Sequence, residues 1–229
     1  MALLHQAELT PSKLELIAAW LPAQAWFRDP TTEGLARVAA YRFDDPAGEV
    51  GIEALLVRVG DGPVYQVALT YRGAPLAGAE PWLVGTTDHS VLGKRWVYDA
   101  CGDPVYATVL AGALLGTTRQ AEEFLEVEGS LVPRKPLMTV TTVPAAVPAA
   151  GPAADGGSSA GAESAVGADS ALGAVHEVVS GDPTVIETGV ARLAVVHVLG
   201  GTPRPNDAAV LIGHWDGSDG SVLLAYATR

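Results

Sequence analysis

The chain has 229 residues and a mass of 23.5 kDa, so one principal domain is expected at roughly 100 to 200 residues per domain. Its 48% hydrophobic content supplies a sizeable core and excludes a chain disordered throughout, while 17% charged residues fall below the roughly 25% of ordinary soluble domains. Fourteen Lys and Arg against 26 Asp and Glu leave a formal charge of -12, which repels phosphates and anionic headgroups, so neither nucleic acid nor membrane is expected as a partner.

Helix-start chemistry comes first along the chain. Ser12-x-x-Glu15 forms a capping-box pattern beside Pro11, Leu14, Ile17, Trp20 and Leu21 recur at helical spacing, and Pro22 ends the run. Trp26 and Phe27 follow as aromatic plugs for the end of a core. Strand patterning occupies 35–43, and a stronger pair, 50–59 and 64–72, flanks Gly60-Asp61-Gly62-Pro63 as a hairpin. In its second arm Tyr65, Val67, Leu69 and Tyr71 alternate with Val64, Gln66, Ala68 and Thr70, which predicts a sheet covered on one side. A strand is expected at 90–98. Asp103-Pro104 then offers an N-cap and a first-turn proline for a nearly uncharged, buried helix that runs to Leu115 and stops at Gly116. Further strands are expected at 124–128, 137–143, 174–179, 191–199, 208–215 and 221–227, the last two joined through Asp216-Gly217-Ser218-Asp219-Gly220.

Composition breaks sharply at 144–173, where 11 Ala, 6 Gly, 4 Ser and 3 Pro offer too little apolar area to offset conformational entropy. A disordered Ala/Gly/Pro/Ser linker is therefore expected there. It separates an α+β domain at 1–143 from C-terminal strands at 174–229 that complete the same domain. Cys101, the single cysteine, allows no internal disulfide and no multi-cysteine zinc site. Residues 1–16 lack a basic segment followed by an apolar one, and the longest apolar run, 105–115, falls short of the about 20 residues that cross a bilayer. A cytoplasmic protein is expected.

Catalytic motifs fail on context. Gly157-Ser158-Ser159-Ala160-Gly161 fits the serine-hydrolase string G-x-S-x-G, but it lies inside the linker rather than on a strand-to-helix turn. His214-Trp215-Asp216 resembles the H-x-D of a phosphotransferase loop, yet Ser221 stands where an Asn is needed, and a hairpin turn explains the segment better. The same turn lacks the twelfth-position Glu of a calcium loop, because Ala227 occupies it. His5, His89, His176, His197 and His214 show no metal-ligand spacing. No catalytic residue, cofactor or metal is assigned.

The densest polar segment is 89–103. It places Lys94 and Arg95 beside Trp96 and two carboxylates, Asp99 and Asp103. One reading is a partner or ligand surface of His89, Lys94, Arg95, Trp96 and Asp99, with the cations meeting anions and the indole stacking on an apolar or sugar face. The other is structural, with Arg95 paired to Asp99 or another carboxylate and with Trp96 and Tyr98 in the core. Ion pairs and core aromatics outnumber sites, which favours the structural reading.

Several segments together resemble a known family. Residues 7–16, Trp20-Leu21-Pro22-Ala23-Gln24-Ala25-Trp26-Phe27, Tyr65-Gln66-Val67, Asp88-His89-Ser90-Val91-Leu92-Gly93, Trp96-Val97-Tyr98-Asp99 and Asp103-Pro104-Val105-Tyr106 are similar to the N-terminal cap of actinobacterial maltokinases over roughly 7–116. The chain is closer still to stand-alone cap-like proteins, whose ending Gly213-His214-Trp215-Asp216-Gly217 and Leu223-Leu224-Ala225 resemble. The resemblance implies an α+β fold in which a curved antiparallel sheet packs on one or two helices, likened to cystatin. It also implies a setting in maltose, trehalose or α-glucan metabolism. It carries over no catalytic residue. A non-catalytic, partner-binding or regulatory module is expected, with a sugar kinase or another protein of α-glucan metabolism as its partner. A small carbohydrate-binding protein that stacks a sugar on Trp82, Trp96, Trp215 or Tyr98 is the first alternative, and an enzyme with an unrecognised site the second.

Overall fold

Local chemistry builds the elements much as their residues dictate, and the computed structural model describes residues 2–4, 8–127, 130–145 and 175–228. In chain order they are β1 (Ala2–Leu4), β2 (Leu9–Thr10), α1 (Lys13–Trp20), β3 (Leu35–Phe43), β4 (Gly51–Val59), β5 (Tyr65–Arg72), β6 (Leu83–His89), β7 (Gly93–Asp99), α2 (Pro104–Leu114), β8 (Glu123–Val127), β9 (Ser130–Arg134) and β10 (Met138–Val143). Beyond 174 come β11 (Val175–Val179), β12 (Thr184–Thr188), β13 (Arg192–Val195), β14 (Ala209–Trp215) and β15 (Val222–Thr228). Ser12 Oγ accepts the Glu15 N–H at 3.3 Å and Glu15 Oε2 accepts the Ser12 N–H at 2.7 Å, so the capping box forms and starts α1. Pro22 has no N–H to continue the ladder, and α1 runs out into a 3-10 turn at Leu21–Ala23. At the far end of α2, Gly116 takes φ +79°, a left-handed conformation open to glycine, while Thr117 and Thr118 N–H groups return to the Gly112 carbonyl.

Two antiparallel six-stranded sheets result, in the orders β2-β6-β7-β5-β4-β3 and β10-β14-β15-β13-β12-β11, with a small third sheet β1-β8-β9. The fold is α+β, curled antiparallel sheets with two short helices among the described residues. Strand β10 precedes the compositional break and pairs with β14 beyond it, from Met138↔Trp215 to Val143↔Val210. The linker expected at 144–173 lies outside the described residues, save Pro144 and Ala145.

The one-sided sheet inferred from β5 is corrected: both of its faces are covered. On one face Leu55, Val57, Tyr65, Val67 and Leu69 pack against Leu16, Ile17 and Leu21 of the α1 segment and against Trp26. On the other, Tyr41, Ile52, Ala54, Leu56 and Ala68 share a core with α2 and with Leu193, Val195, Leu211 and Leu224 of the second sheet. Gln66, Ala68 and Thr70 are buried as fully as the residues between them. They look polar or small in sequence because α2 and the second sheet approach closely there. Gln66 serves this approach: its amide donates to the Val196 and Leu224 carbonyls, both at 2.9 Å, and its Oε1 accepts the Tyr41 hydroxyl at 3.0 Å. A buried amide whose donors and acceptor are all engaged pins one sheet to the other without a desolvation penalty left standing.

Two strand expectations shift. Instead of one strand at 90–98 the chain makes the hairpin β6–β7. His89 Nδ1 accepts the Val91 and Leu92 N–H groups at 3.2 and 3.1 Å and Gly93 takes φ +72°, so 90–92 is a turn. The strand expected at 191–199 ends at Val195, because the chain then crosses to β5, where Gln66 N–H donates to the His197 carbonyl and Leu199 N–H to that of Val64.

Candidate functional site

Strand β7 disperses the residues of the polar segment. Alternation sends Arg95, Val97 and Asp99 to the α1 side and Lys94, Trp96 and Tyr98 to the other. His89 is half-buried and holds the turn through its ring nitrogen. Lys94 Nζ lies over the Trp96 ring, 5.3 Å from its centroid, and Trp96 is half-buried rather than a core residue. The expected pairing of Arg95 with Asp99 does not occur. Four residues along a strand separate two side chains by about 13 Å, and the Arg95 guanidinium instead donates to the Leu92 carbonyl at 2.7 Å. The ion pair at this end of the sheet is Arg72 with Asp103, whose Nε and Nη2 both lie 2.7 Å from carboxylate oxygens. Asp103 also accepts the Val105 N–H at 3.0 Å, so it caps α2 as its place before Pro104 predicts.

Of the five, Asp99 leads to a cleft. Its residue is 5% exposed and borders a hollow of about 120 Å³ together with Trp20, Gln24, Pro81, Trp82 and Ser180. Oδ1 accepts the Cys101 N–H at 3.0 Å, and no cation among the described residues pairs with the carboxylate. Burial therefore pushes its pKa up, against smaller opposing effects from His197 and from the Cys101 backbone and thiol. The Cys101 thiol is in turn pushed well up, by burial first and by the Asp99 charge second, so it stays protonated and inert as a nucleophile.

The cleft walls are braced from behind. Trp20 meets Trp26 edge-on at 5.8 Å, and Trp26 stacks flat on His197 with centroids 4.3 Å apart and planes 2° apart. His197 Nδ1 lies 3.1 Å from the Gln66 carbonyl, which can only accept, so Nδ1 carries the proton and Nε2 accepts from the Thr184 hydroxyl at 2.8 Å. Burial lowers the His197 pKa, which keeps the ring neutral in this stack. On the opposite wall Trp82 rests on Gly102, where a Cβ would stand 2.1 Å from Trp82 Cγ. The glycine is a sequence signal for that wall, legible only once the two segments are known to meet.

The remaining polar clusters serve the fold. Glu53 is buried, holds Lys13 in a short contact, accepts the Tyr71 hydroxyl at 3.2 Å and lies 3.5 Å from Arg42. A larger hollow, about 370 Å³, lies against Gln120, Phe124, Pro133 and Arg134. Gln120 is committed beside it, bridging the Met138 carbonyl and the Val140 N–H. Among the described residues no group of three His, Cys, Asp or Glu is placed to hold a metal ion, and no helix is long and apolar enough to cross a membrane.

The braced cleft belongs almost wholly to one stretch of chain. Residues 20–103 match the family model of the maltokinase N-terminal cap domain. The match lies within the 7–116 expected from sequence and covers a little over a third of the chain. It opens at Trp20 and closes at Asp103, so it includes every cleft residue but Ser180. No curated protein matches the chain. The cap-like stretch spans β3 to β7, and α2 and the second sheet share a core with it.

Proposed function

We propose that the protein is a non-catalytic module of the maltokinase-cap kind, a cytoplasmic partner or regulator of a sugar kinase or a related protein of maltose, trehalose or α-glucan metabolism. The observation that carries the reading is the cap-domain match over 20–103, whose sheet closes one core with α2 and the second sheet. Most of the buried titratable groups gathered around it are spent on that core: Arg72 and Lys13 neutralise Asp103 and Glu53, and Cys101 is sealed as a thiol, while Asp99 borders the cleft. Buried, paired groups of this sort hold sheets and helices in register and lack the poised base and exposed nucleophile that acyl or phosphoryl transfer needs.

Two assays on the purified full chain test it. ATP consumption with maltose or glucosamine is expected to stay at the buffer blank, and a turnover abolished by Asp216→Ala overturns the proposal. Added to a purified maltokinase, the chain is expected to change that enzyme's KM or kcat in a saturable way. Unchanged kinetics across a range of stoichiometries count against the regulatory role.

A further inference from the structure

We propose that the cleft between Trp20 and Trp82 binds a small neutral polyhydroxyl ligand, one sugar ring or a comparable polyol, which donates hydroxyls to Asp99 and lays its C–H face against tryptophan. The argument begins with Asp99. A carboxylate this deeply buried ordinarily has a cation beside it, because desolvation of the charge is otherwise uncompensated. Four residues away Asp103 follows that rule with Arg72, whereas among the described residues Asp99 accepts from the Cys101 N–H and thiol and has nearby only His197, whose protonation burial disfavours. Its residue opens on the cleft, where a ligand's donors can supply what the fold does not.

The walls define the class. Tryptophan offers a broad apolar face with a polar edge, suited to a ring that is apolar on its C–H side and polar around its rim. Gln24 and Ser180 add groups that both donate and accept, and the Gln24 amide N–H reaches only the Trp20 carbonyl at 3.4 Å, leaving Oε1 as an acceptor. Hydroxyls complement such a mixed set because each also donates and accepts. An ammonium only donates and would leave the ligand-facing donors unmatched. Size limits the ligand: about 120 Å³ is small beside the roughly 300–1,000 Å³ of sites for drug-sized molecules, so the cleft takes one ring or its edge. The Trp20–Trp26–His197 stack and the Gly102 seat under Trp82 hold the walls in place before any ligand arrives, which lowers the ordering cost of binding.

The site stands independently of any kinase partner, since a sugar can be bound with no second protein present. Isothermal titration of the full chain with D-glucose, maltose, trehalose and methylammonium chloride, followed in parallel by tryptophan fluorescence, tests it. At least one sugar is expected to saturate in the millimolar range, with methylammonium silent. Trp82→Ala and Asp99→Asn are each expected to weaken that sugar by about tenfold or more, from loss of stacking area or of a charge-assisted hydrogen bond. Trp96→Ala, on the opposite face of β7, is expected to leave affinity unchanged. Should Trp82→Ala fail to fold, Trp82→Leu and Gln24→Ala carry the same test. No saturation by any sugar up to tens of millimolar overturns the proposal, as does equal affinity across wild type, Trp82 and Asp99 variants. Binding of methylammonium alone overturns the ligand class.

Discussion

Removing the Asp103 carboxylate should be among the costliest single changes in the protein, and its cost can be divided. Asp103 is fully buried and does two jobs with one side chain: it caps α2 through Val105 N–H and grips Arg72 in a fork. Losing an N-cap costs about 1 kcal/mol. Stranding one member of a buried ion pair costs roughly 3–5 kcal/mol, but the Arg72 side chain keeps 18% exposure and can recover water, which places its share nearer 2–3 kcal/mol. Asp103→Ala should therefore destabilise by about 3–4 kcal/mol, a large part of the about 5–15 kcal/mol that holds a typical domain. Asp103→Asn separates the two jobs, because the amide oxygen still accepts the Val105 N–H while the amide nitrogen repels the guanidinium. It should cost about 1 kcal/mol less than alanine. Urea denaturation of both variants, of Arg72→Met and of the Arg72→Met/Asp103→Asn double variant, read by far-UV circular dichroism, completes a cycle in which the pair should show a coupling of about 2 kcal/mol. If Asp103→Ala and Asp103→Asn cost the same and each falls below about 1 kcal/mol, neither the cap nor the fork carries the weight assigned to it.

Glu53 gives an acid-side signature: burial pushes its carboxyl up, but Lys13 and Arg42 outweigh burial and leave its pKa below the ordinary value, so it stabilises above about pH 4.3 and that contribution is lost as pH falls through the lower folded value. Melting temperatures between about pH 5 and 3 should fall less steeply for Glu53→Gln than for wild type. His197 works earlier in the same direction, since burial depresses its pKa and the unfolded chain takes up the proton first; unfolding free energy should drop below about pH 6.5, and a His197→Gln chain should lack that slope. Gly102→Ala should drive Trp82 off its seat, shifting tryptophan emission and costing about 1–3 kcal/mol by overpacking, and an unchanged spectrum would refute the contact. Asp99→Asn should raise stability at neutral pH, because burial holds the folded carboxyl above its ordinary pKa and charging it as pH rises through that window opposes folding; the gain should shrink in acid, as seen by melting at both ends of the range.

Local rules carried the fold far. The β4–β5 hairpin, the capping box at Ser12 and the Asp103-Pro104 start of α2 appear within a residue or so of where turn and cap chemistry put them, because each depends on neighbours in sequence. Strands β6, β9 and β12 escaped notice: β6 carries Gly85 and two threonines, β9 contains Pro133, and β12 begins beside Pro183 with only a few apolar residues. Their pairing is decided by partners far along the chain. The second covered side of β5 was hidden for the same reason, since Gln66, Ala68 and Thr70 read as an exposed face until α2 and the second sheet close over them. The cleft was the least legible feature. Asp99 stood out among polar neighbours, but Trp20, Gln24, Trp82 and Ser180 come from a helix end, a 3-10 turn and the loop after β11, and nothing in their local sequence says that they converge.

Two carboxylates at the end of β7 define what this region does. Asp99 closes the strand and Asp103 opens α2, with the 3-10 turn Ala100–Gly102 between them, and both are deeply buried. Asp103 is stabilised within the fold by Arg72 and by a helix terminus, and its neutral replacement harms the protein. Asp99 is given a backbone N–H and a thiol but no cation, beside a histidine that burial keeps neutral, and its neutral replacement should help. Selection for stability alone favours an asparagine at Asp99, since the amide oxygen accepts the same Cys101 N–H without a buried charge. A buried carboxyl whose pKa burial raises, on a residue that borders a braced, tryptophan-walled cleft, is what the proposed ligand site would use. The same sequence interval thus holds the structural acid Asp103 and the acid of the proposed ligand site, Asp99, and the arginine one strand away, which reaches Asp103 and not Asp99, separates the two.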